Sequence, residues 1–288
     1  MIIDTHAHLD FPDFAEDLEG VVRRAADAGV TRIVSIGTDV ASSHQAVELA
    51  GRFPGVYAVV GIHPNDALDT ERTGPGIAAS IEALRELARH PKVVAIGETG
   101  LDYFRLPSSQ VTRMGVQAFG DEQPEDMKAL IEDGAVKSAQ AVVFKAQLDL
   151  AAELGLNVVI HQRGDCRADT LAILNPYRDR LRAVFHCFSG TPEEAQELLG
   201  LGYLVSFTGI VTFKNGQNVQ ATAKAVPDGS YMVETDCPFL APAPHRGKRC
   251  EPAHTRLTAE KIAELRGETL ETVAKSTTAV AEAFFRFS

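Results

Sequence analysis

The stretch Val93-Val94-Ala95-Ile96-Gly97-Glu98 ends a short apolar run on a carboxylate, and the same design recurs along the chain. Met1-Ile2-Ile3 leads to His6 and His8, Val158-Val159-Ile160 to His161, and Ala183-Val184-Phe185 to His186. Tyr231-Met232-Val233-Glu234-Thr235 leads to Asp236. Short runs rich in β-branched residues read as buried parallel strands. Residues 32–37 (RIVSIG), 56–62 (VYAVVGI) and 203–207 (YLVSF) bring the number of such runs to eight. Helix-like stretches lie between them, at 17–28, 77–90, 140–154 and 192–201, and Gly29, Gly155 and Gly202 supply stops. Strand–helix alternation over more than ~250 residues is the arithmetic of a single-domain (β/α)8 TIM barrel, which builds its site at the carboxyl ends of the strands.

That geometry collects His6, His8, Glu98, His161, His186 and Asp236 at one rim. A lone His-x-His pair, or a lone strand-end histidine, is weak evidence. Five separate strand ends that all supply nitrogen or oxygen ligands are strong evidence, because such groups must be paired or ligated once desolvated. Imidazoles and carboxylates together fit divalent metal ions, and a cluster of this size fits a two-metal hydrolase.

Composition bounds the remaining choices. The chain has 288 residues, 45% of them apolar, enough for one barrel core spanning 1–288. No apolar run approaches the ~20 residues needed to cross a membrane. A cleaved secretory leader is not expected within these residues, because the first ones lack a basic stretch and cleavage would remove His6 and His8. Cys166, Cys187, Cys237 and Cys250 form no CxxC pair and are expected to stay reduced, which suits a cytoplasmic protein. A net charge of −11 argues against a general nucleic-acid coat, though metal ions and a local basic loop can still neutralise a phosphate. The loop 242–252 (PAPHRGKRCEP) supplies Arg246 and Lys248 for that purpose. Nothing in the chain calls for an obligate protein partner.

Seven motifs occur in order: Asp4-Thr5-His6-Ala7-His8-Leu9, Gly61-Ile62-His63-Pro64, Gly97-Glu98-Thr99-Gly100-Leu101-Asp102-Tyr103, His161-Gln162-Arg163, His186-Cys187-Phe188-Ser189-Gly190, Glu234-Thr235-Asp236-Cys237-Pro238 and His245-Arg246-Gly247-Lys248. Together they closely resemble the TatD family of metal-dependent deoxyribonucleases, within the amidohydrolase superfamily. The resemblance implies a TIM barrel, two divalent metal ions (Mg, Mn or Zn) and hydrolysis of DNA or another phosphodiester. It implies that His6, His8, Glu98 and Asp236 hold one metal and that Glu98, His161 and His186 hold the second. Asp236 is then the group that orients a water and takes its proton, with Glu98 bridging. His63 is expected either to touch the substrate or leaving group, or to support a ligand from behind. Arg163, Arg246 and Lys248 are expected to hold neighbouring phosphates.

The chain departs from the family pattern in places. Thr99 stands where an aliphatic residue is common, and Cys250 where Asn is expected. The His161 motif carries an apparent extra residue, which leaves the role of Asp165 open. The segment of about 105–139 is an extended loop, longer than the family's usual one, in which residues 124–137 read as a short helix. It is expected either to cover part of the site or to pack as a surface elaboration. The alternative function is a metal-dependent amidohydrolase or phosphoesterase acting on a small molecule. Many barrels of that kind bridge their metals with a carboxylated lysine, and Glu98 occupies the corresponding place.

Overall fold

A computed structural model describes residues 1–109 and 124–287 of the chain. Eight strands run in sequence order: β1 Ile2–Ala7, β2 Val30–Ile36, β3 Val56–Val60, β4 Val93–Asp102, β5 Asn157–Arg163, β6 Ala183–Phe185, β7 Leu204–Phe207 and β8 Tyr231–Val233. Every neighbouring pair is parallel. Just beyond β8 the sheet meets β1: Ala7 bridges Cys237, the Asp236 N–H donates to the His6 carbonyl (2.9 Å) and the His8 N–H donates to the Cys237 carbonyl (2.9 Å). The result is a nearly closed barrel.

Around it lie α1 Leu18–Asp27, α2 Val40–Arg52, α3 Ala67–Arg72, α4 Ile77–Leu87, α5 Pro124–Leu154, α6 Arg167–Leu174, α7 Pro192–Gly200, α8 Gln217–Ala225, α9 Thr255–Arg266 and α10 Leu270–Phe285. The strands are buried on both faces because helices cover the outside and side chains fill the inside, which is why their sequences read as unbroken apolar runs. Two packing clusters separate by strand parity. Ile2, Ile33, Val158 and Phe185 pack outward against the helices. Ile3, Val34, Val159, Val184 and Met232 fill the interior together with Phe284 and Phe285 of α10. The Asn157 side chain, at the start of β5, donates to the Phe284 carbonyl and ties that helix to the amino end of the barrel.

Strand parity also aims the functional side chains. His161 follows Val159 by two residues, and His186 follows Val184 by two. Glu234 and then Asp236 follow Met232 in the same phase, so all four continue the inward face. The ladder shifts register between Asp4 and Ala7 in β1 and between Ile96 and Thr99 in β4. These shifts fall at His6 and Glu98, and they turn both residues, with His8, to the same rim. Gly97 makes the second shift feasible: its φ is 143°, and a Cβ there would lie 2.6 Å from the Val159 carbonyl oxygen.

Besides shifts of one or two residues at strand ends, two differences from the sequence reading bear on the site. β4 and β5 continue past Glu98 and His161, to Asp102 and Arg163, so these two residues lie inside strands rather than at their ends. The separate helices read at 124–137 and 140–154 form one helix of 31 residues. Gly134 costs helical propensity, but its neighbours favour helix and nothing lies within 4 Å of a Cβ at that position. Ser108 anchors the early part of this helix, its N–H donating to Asp133 Oδ1 (3.0 Å). The expected cover over the site falls largely on 110–123, outside the described residues.

Candidate metal centre

Two buried glutamines of α5 hold the strands beneath the site. Gln147 accepts from the Ile62 N–H (2.8 Å) and donates to the Ile62 carbonyl (2.9 Å) and to Thr99 Oγ1 (2.7 Å). Gln140 accepts from the Asp102 N–H (3.0 Å) and donates to the Asp102 carbonyl (3.2 Å). His63, Glu98 and Asp102 therefore stand on backbone that is bonded to the helix layer. Thr99, unusual by motif, is explained by its bond to Gln147.

Glu98 is the centre of the cluster. Its Oε1 lies 2.6 Å from His161 Nδ1, 2.6 Å from His186 Nε2 and 3.5 Å from His63 Nε2. Its Oε2 faces the other way, 3.2 Å from His6 Nε2 and 3.9 Å from His8 Nε2. Asp236 Oδ1 completes that second group, 3.7 Å from His6 Nε2 and 3.4 Å from His8 Nε2. Three sets of donors lie close enough to share an ion: His6, Glu98 and His186; His6, His8 and Asp236; His63, Glu98 and His161. The structure thus brings all six residues read as ligands to one place, and His63 joins them.

The hydrogen bonding behind the imidazoles fits metal ligation. His8 Nδ1 lies 3.1 Å from the Ile36 carbonyl, to which its N–H donates, and this tautomer leaves Nε2 with a lone pair toward Asp236. His161 Nε2 lies 3.3 Å from Asp102 Oδ2, which would take the ring's N–H and turn Nδ1, 2.6 Å from Glu98 Oε1, toward a shared ion. His186 Nδ1 is buried without a hydrogen-bond partner, with Glu234 Oε1 the carboxylate oxygen facing it at 3.5 Å, and Glu234 is itself held by Ser206 Oγ (2.6 Å) and the Cys187 N–H (2.7 Å). His6 is fully buried and neither of its ring nitrogens has a hydrogen-bond partner. A buried polar group without a partner is costly, and a cation on Nε2 is what this donor set would accept. The residues present therefore fit divalent metal ions.

Electrostatics agrees. Burial pushes the Glu98 carboxyl up, but the surrounding imidazoles, His186 foremost, outweigh it and hold the group well below the usual carboxylate range. Burial likewise opposes ionisation of Asp236, and the bond from His8 with the charges of His6 and His186 brings it below its ordinary value. Both carboxylates stay ionised and facing the cluster. Burial and the neighbouring His161 push His63 down to about 3, so that its imidazole is neutral. Asp236 also sits at φ 58°, a left-handed conformation held by its N–H bond to His6.

The cluster forms the floor of a cavity of about 640 Å³ that is also lined by Arg105 and Arg163. Arg246 instead lies 3.6 Å over the Phe213 ring, and neither Arg246 nor Lys248 is part of the lining. The basic loop was expected to hold neighbouring phosphates because it follows the Asp236 strand, and in the fold its Arg246 rests on that ring. Asp165 is exposed, and Cys250 is buried with a free thiol. Sequence reasoning left Asp102 and Glu234 without roles, although both were in view: Glu234 precedes Asp236 in strand phase, and Asp102 ends the Glu98 motif. Arg105 was not singled out.

The comparisons agree with this architecture. The profile described as TatD related DNase matches residues 3–286. The chain is 37% identical over 289 residues to the uncharacterized metal-dependent hydrolase YabD of Bacillus subtilis, covering 100% of both chains. It is 34% identical over 290 residues to the 3'-5' ssDNA/RNA exonuclease TatD of Shigella flexneri, covering 99% of this chain and 98% of that one. The crystal structure of YjjV, a TatD homologue from Escherichia coli, superposes with a TM-score of 0.80 at 26% identity, covering 100% of this chain and 98% of the other. With a family profile spanning almost the whole sequence and full-length relatives above 30% identity, the chain belongs to the TatD family of metal-dependent hydrolases.

Proposed function

We propose that this protein hydrolyses phosphodiester bonds of DNA with two divalent metal ions, and that Glu98 is shared between them. The observation that carries the reading is the split of Glu98: its two carboxylate oxygens face separate sets of donors. In this assignment His6, His8 and Asp236 hold one ion, His161 and His186 hold the other, and Glu98 serves both. Bound cations of this kind acidify a water for attack and neutralise charge on a phosphoryl group. The imidazole-rich set suits Zn or Mn, and phosphate chemistry is also compatible with Mg.

The chain's own groups supply the remaining functions. Asp236 is ionised, faces the cavity and is the candidate to orient the attacking water and accept its proton. His63 Nδ1 accepts the Asn65 N–H (3.0 Å), which leaves the proton of the neutral ring on Nε2, facing the cluster as a hydrogen-bond donor. That donor would serve a leaving oxygen or steady His161. Arg163 and Arg105 would hold the phosphate in the cavity, a role that favours a phosphodiester over a neutral amide. Arg246 and Lys248 would meet phosphates of a strand that extends beyond it. The exonuclease activity named for the Shigella relative supports the same substrate class.

The test is a metal assay combined with turnover. Protein stripped by a chelator should lose activity on a labelled single-stranded oligodeoxynucleotide and regain it on addition of Mg, Mn or Zn. Fully metallated protein that cleaves no oligonucleotide, yet hydrolyses small amides, would refute the assignment.

A further inference from the structure

The mouth of the cavity carries apolar surface that phosphodiester hydrolysis by itself does not require. Phe239 is 51% exposed and lies three residues past Asp236. It is not on a loose loop. Its N–H donates to the Asp236 carbonyl (3.0 Å), and the preceding Pro238 carbonyl accepts from the Cys250 N–H (3.0 Å). Phe11 packs edge-to-face on Phe239, with ring centroids 5.8 Å apart. Phe11 in turn stacks on His8, at 4.9 Å with the planes 29° apart. An aromatic line therefore runs from a candidate metal ligand outward to solvent, and all three rings line the cavity.

The wall across the barrel is different. Arg163 and Arg105 enter the cavity from the β5 and β4 side, diametrically opposite β1 and β8 in an eight-stranded barrel. The Arg163 guanidinium rests 4.0 Å over the Phe104 ring, which fixes its plane. The cavity is thus apolar and aromatic on one side and carries two guanidiniums, beside the carboxylates of Asp66 and Asp102, on the other, with the carboxylate–imidazole cluster as its floor. A nucleotide has the same polarity, a flat apolar base joined to an anionic phosphate. An exposed aromatic ring in a fixed position is how proteins hold unpaired bases, since every base offers a π-face.

We propose that Phe239, backed by Phe11, is a stacking platform for an unpaired nucleobase next to the scissile phosphate, and that it sets a preference for single strands over duplex. This rests on the phosphodiester reading given above. Inside a duplex both faces of a base are covered by its neighbours, so only an unpaired or terminal base can lie on the ring. Phe239 touches the substrate without taking part in the bond-breaking step, and its effect belongs mainly in KM.

The experiment compares wild type, Phe239→Ala, Phe239→Leu and Phe239→Tyr on four substrates: a single-stranded oligodeoxynucleotide, its blunt duplex, a strand of abasic sites, which is a diester without a base, and methyl p-nitrophenyl phosphate. The Ala and Leu variants should lose about 5- to 150-fold in kcat/KM on the single strand, the range expected for one stacked base, mostly through KM. Their loss on the base-free diester should be smaller by at least about fivefold, their single-strand to duplex ratio should fall, and Tyr should restore most of the activity. Equal losses on the single strand and the base-free diester would overturn the platform, and so would a Leu variant as active as wild type, since Leu keeps the apolar wall without the ring. A wild-type protein that cleaves methyl p-nitrophenyl phosphate but no oligonucleotide would instead overturn the DNA reading on which the platform rests.

Discussion

Gln147→Leu is the substitution that best tests how the site is held in place. Gln147 is fully buried, as are its partners Ile62 and Thr99. Leu matches its volume closely but makes none of its three hydrogen bonds. The variant leaves the Ile62 N–H, the Ile62 carbonyl and the Thr99 hydroxyl buried without their partner. Each stranded group costs about 1–3 kcal/mol. The apolar side chain returns roughly 1–2 kcal/mol by its own burial. The expected net loss is then about 1–8 kcal/mol, to be set against the ~5–15 kcal/mol of a typical folded protein. A second effect follows from position. Ile62 precedes His63 and Thr99 follows Glu98, so the same change loosens two residues of the metal cluster. Urea unfolding of the metal-free protein should show a lower midpoint with an unchanged m-value, and the variant should retain less metal after dialysis. Gln147→Glu serves as a comparison, because it still accepts from the Ile62 N–H but cannot donate to the Ile62 carbonyl. If the Leu variant unfolds within ~0.5 kcal/mol of wild type and holds its metal, the claim that α5 positions the site through Gln147 is wrong.

Glu98→Gln should lower metal content at both positions and cost more activity than His161→Ala, which removes a ligand from one side only; metal analysis that shows the reverse order argues against a shared carboxylate. Arg163→Ala should raise KM for an oligonucleotide and reduce the salt dependence of binding more than Arg246→Ala or Lys248→Ala does, because only Arg163 of the three lines the cavity; steady-state kinetics at two ionic strengths would show the order. Asp66 responds to pH. Burial, with Asp39, Asp69 and Glu98 nearby, pushes its carboxyl up to about 6, so its contribution to stability is fully present below the ordinary carboxyl value and is lost as pH rises through about 6. Asp66→Asn in the metal-free protein should therefore raise the thermal midpoint near neutral and alkaline pH and leave it little changed in acid, as read by calorimetry across that range.

The eight strands were legible because a parallel strand covered on both faces must be apolar along its whole length, and that requirement is written locally in the chain. The ligand chemistry of the cluster was legible for a related reason: nitrogen and oxygen donors at five separate run ends, taken together, have few uses other than ligation. The directions of His6, His8 and Glu98 were not. They depend on register shifts between Asp4 and Ala7 and between Ile96 and Thr99, which arise only when β1 and β4 pair with their neighbours. Gln140 and Gln147 read as ordinary polar helix residues until α5 docks and their amides meet the backbone of β4 and the end of β3. The place of the loop 242–252 after the Asp236 strand is written in the sequence, but only the fold shows Arg246 resting on the Phe213 ring and Arg105, unremarkable in sequence, lining the cavity. Local pattern determines which residues form strands and which carry ligand chemistry, because burial and backbone hydrogen bonding act over a few residues. Which side chains share a cavity is decided by contacts between residues far apart in the chain, and those exist only after the barrel has closed.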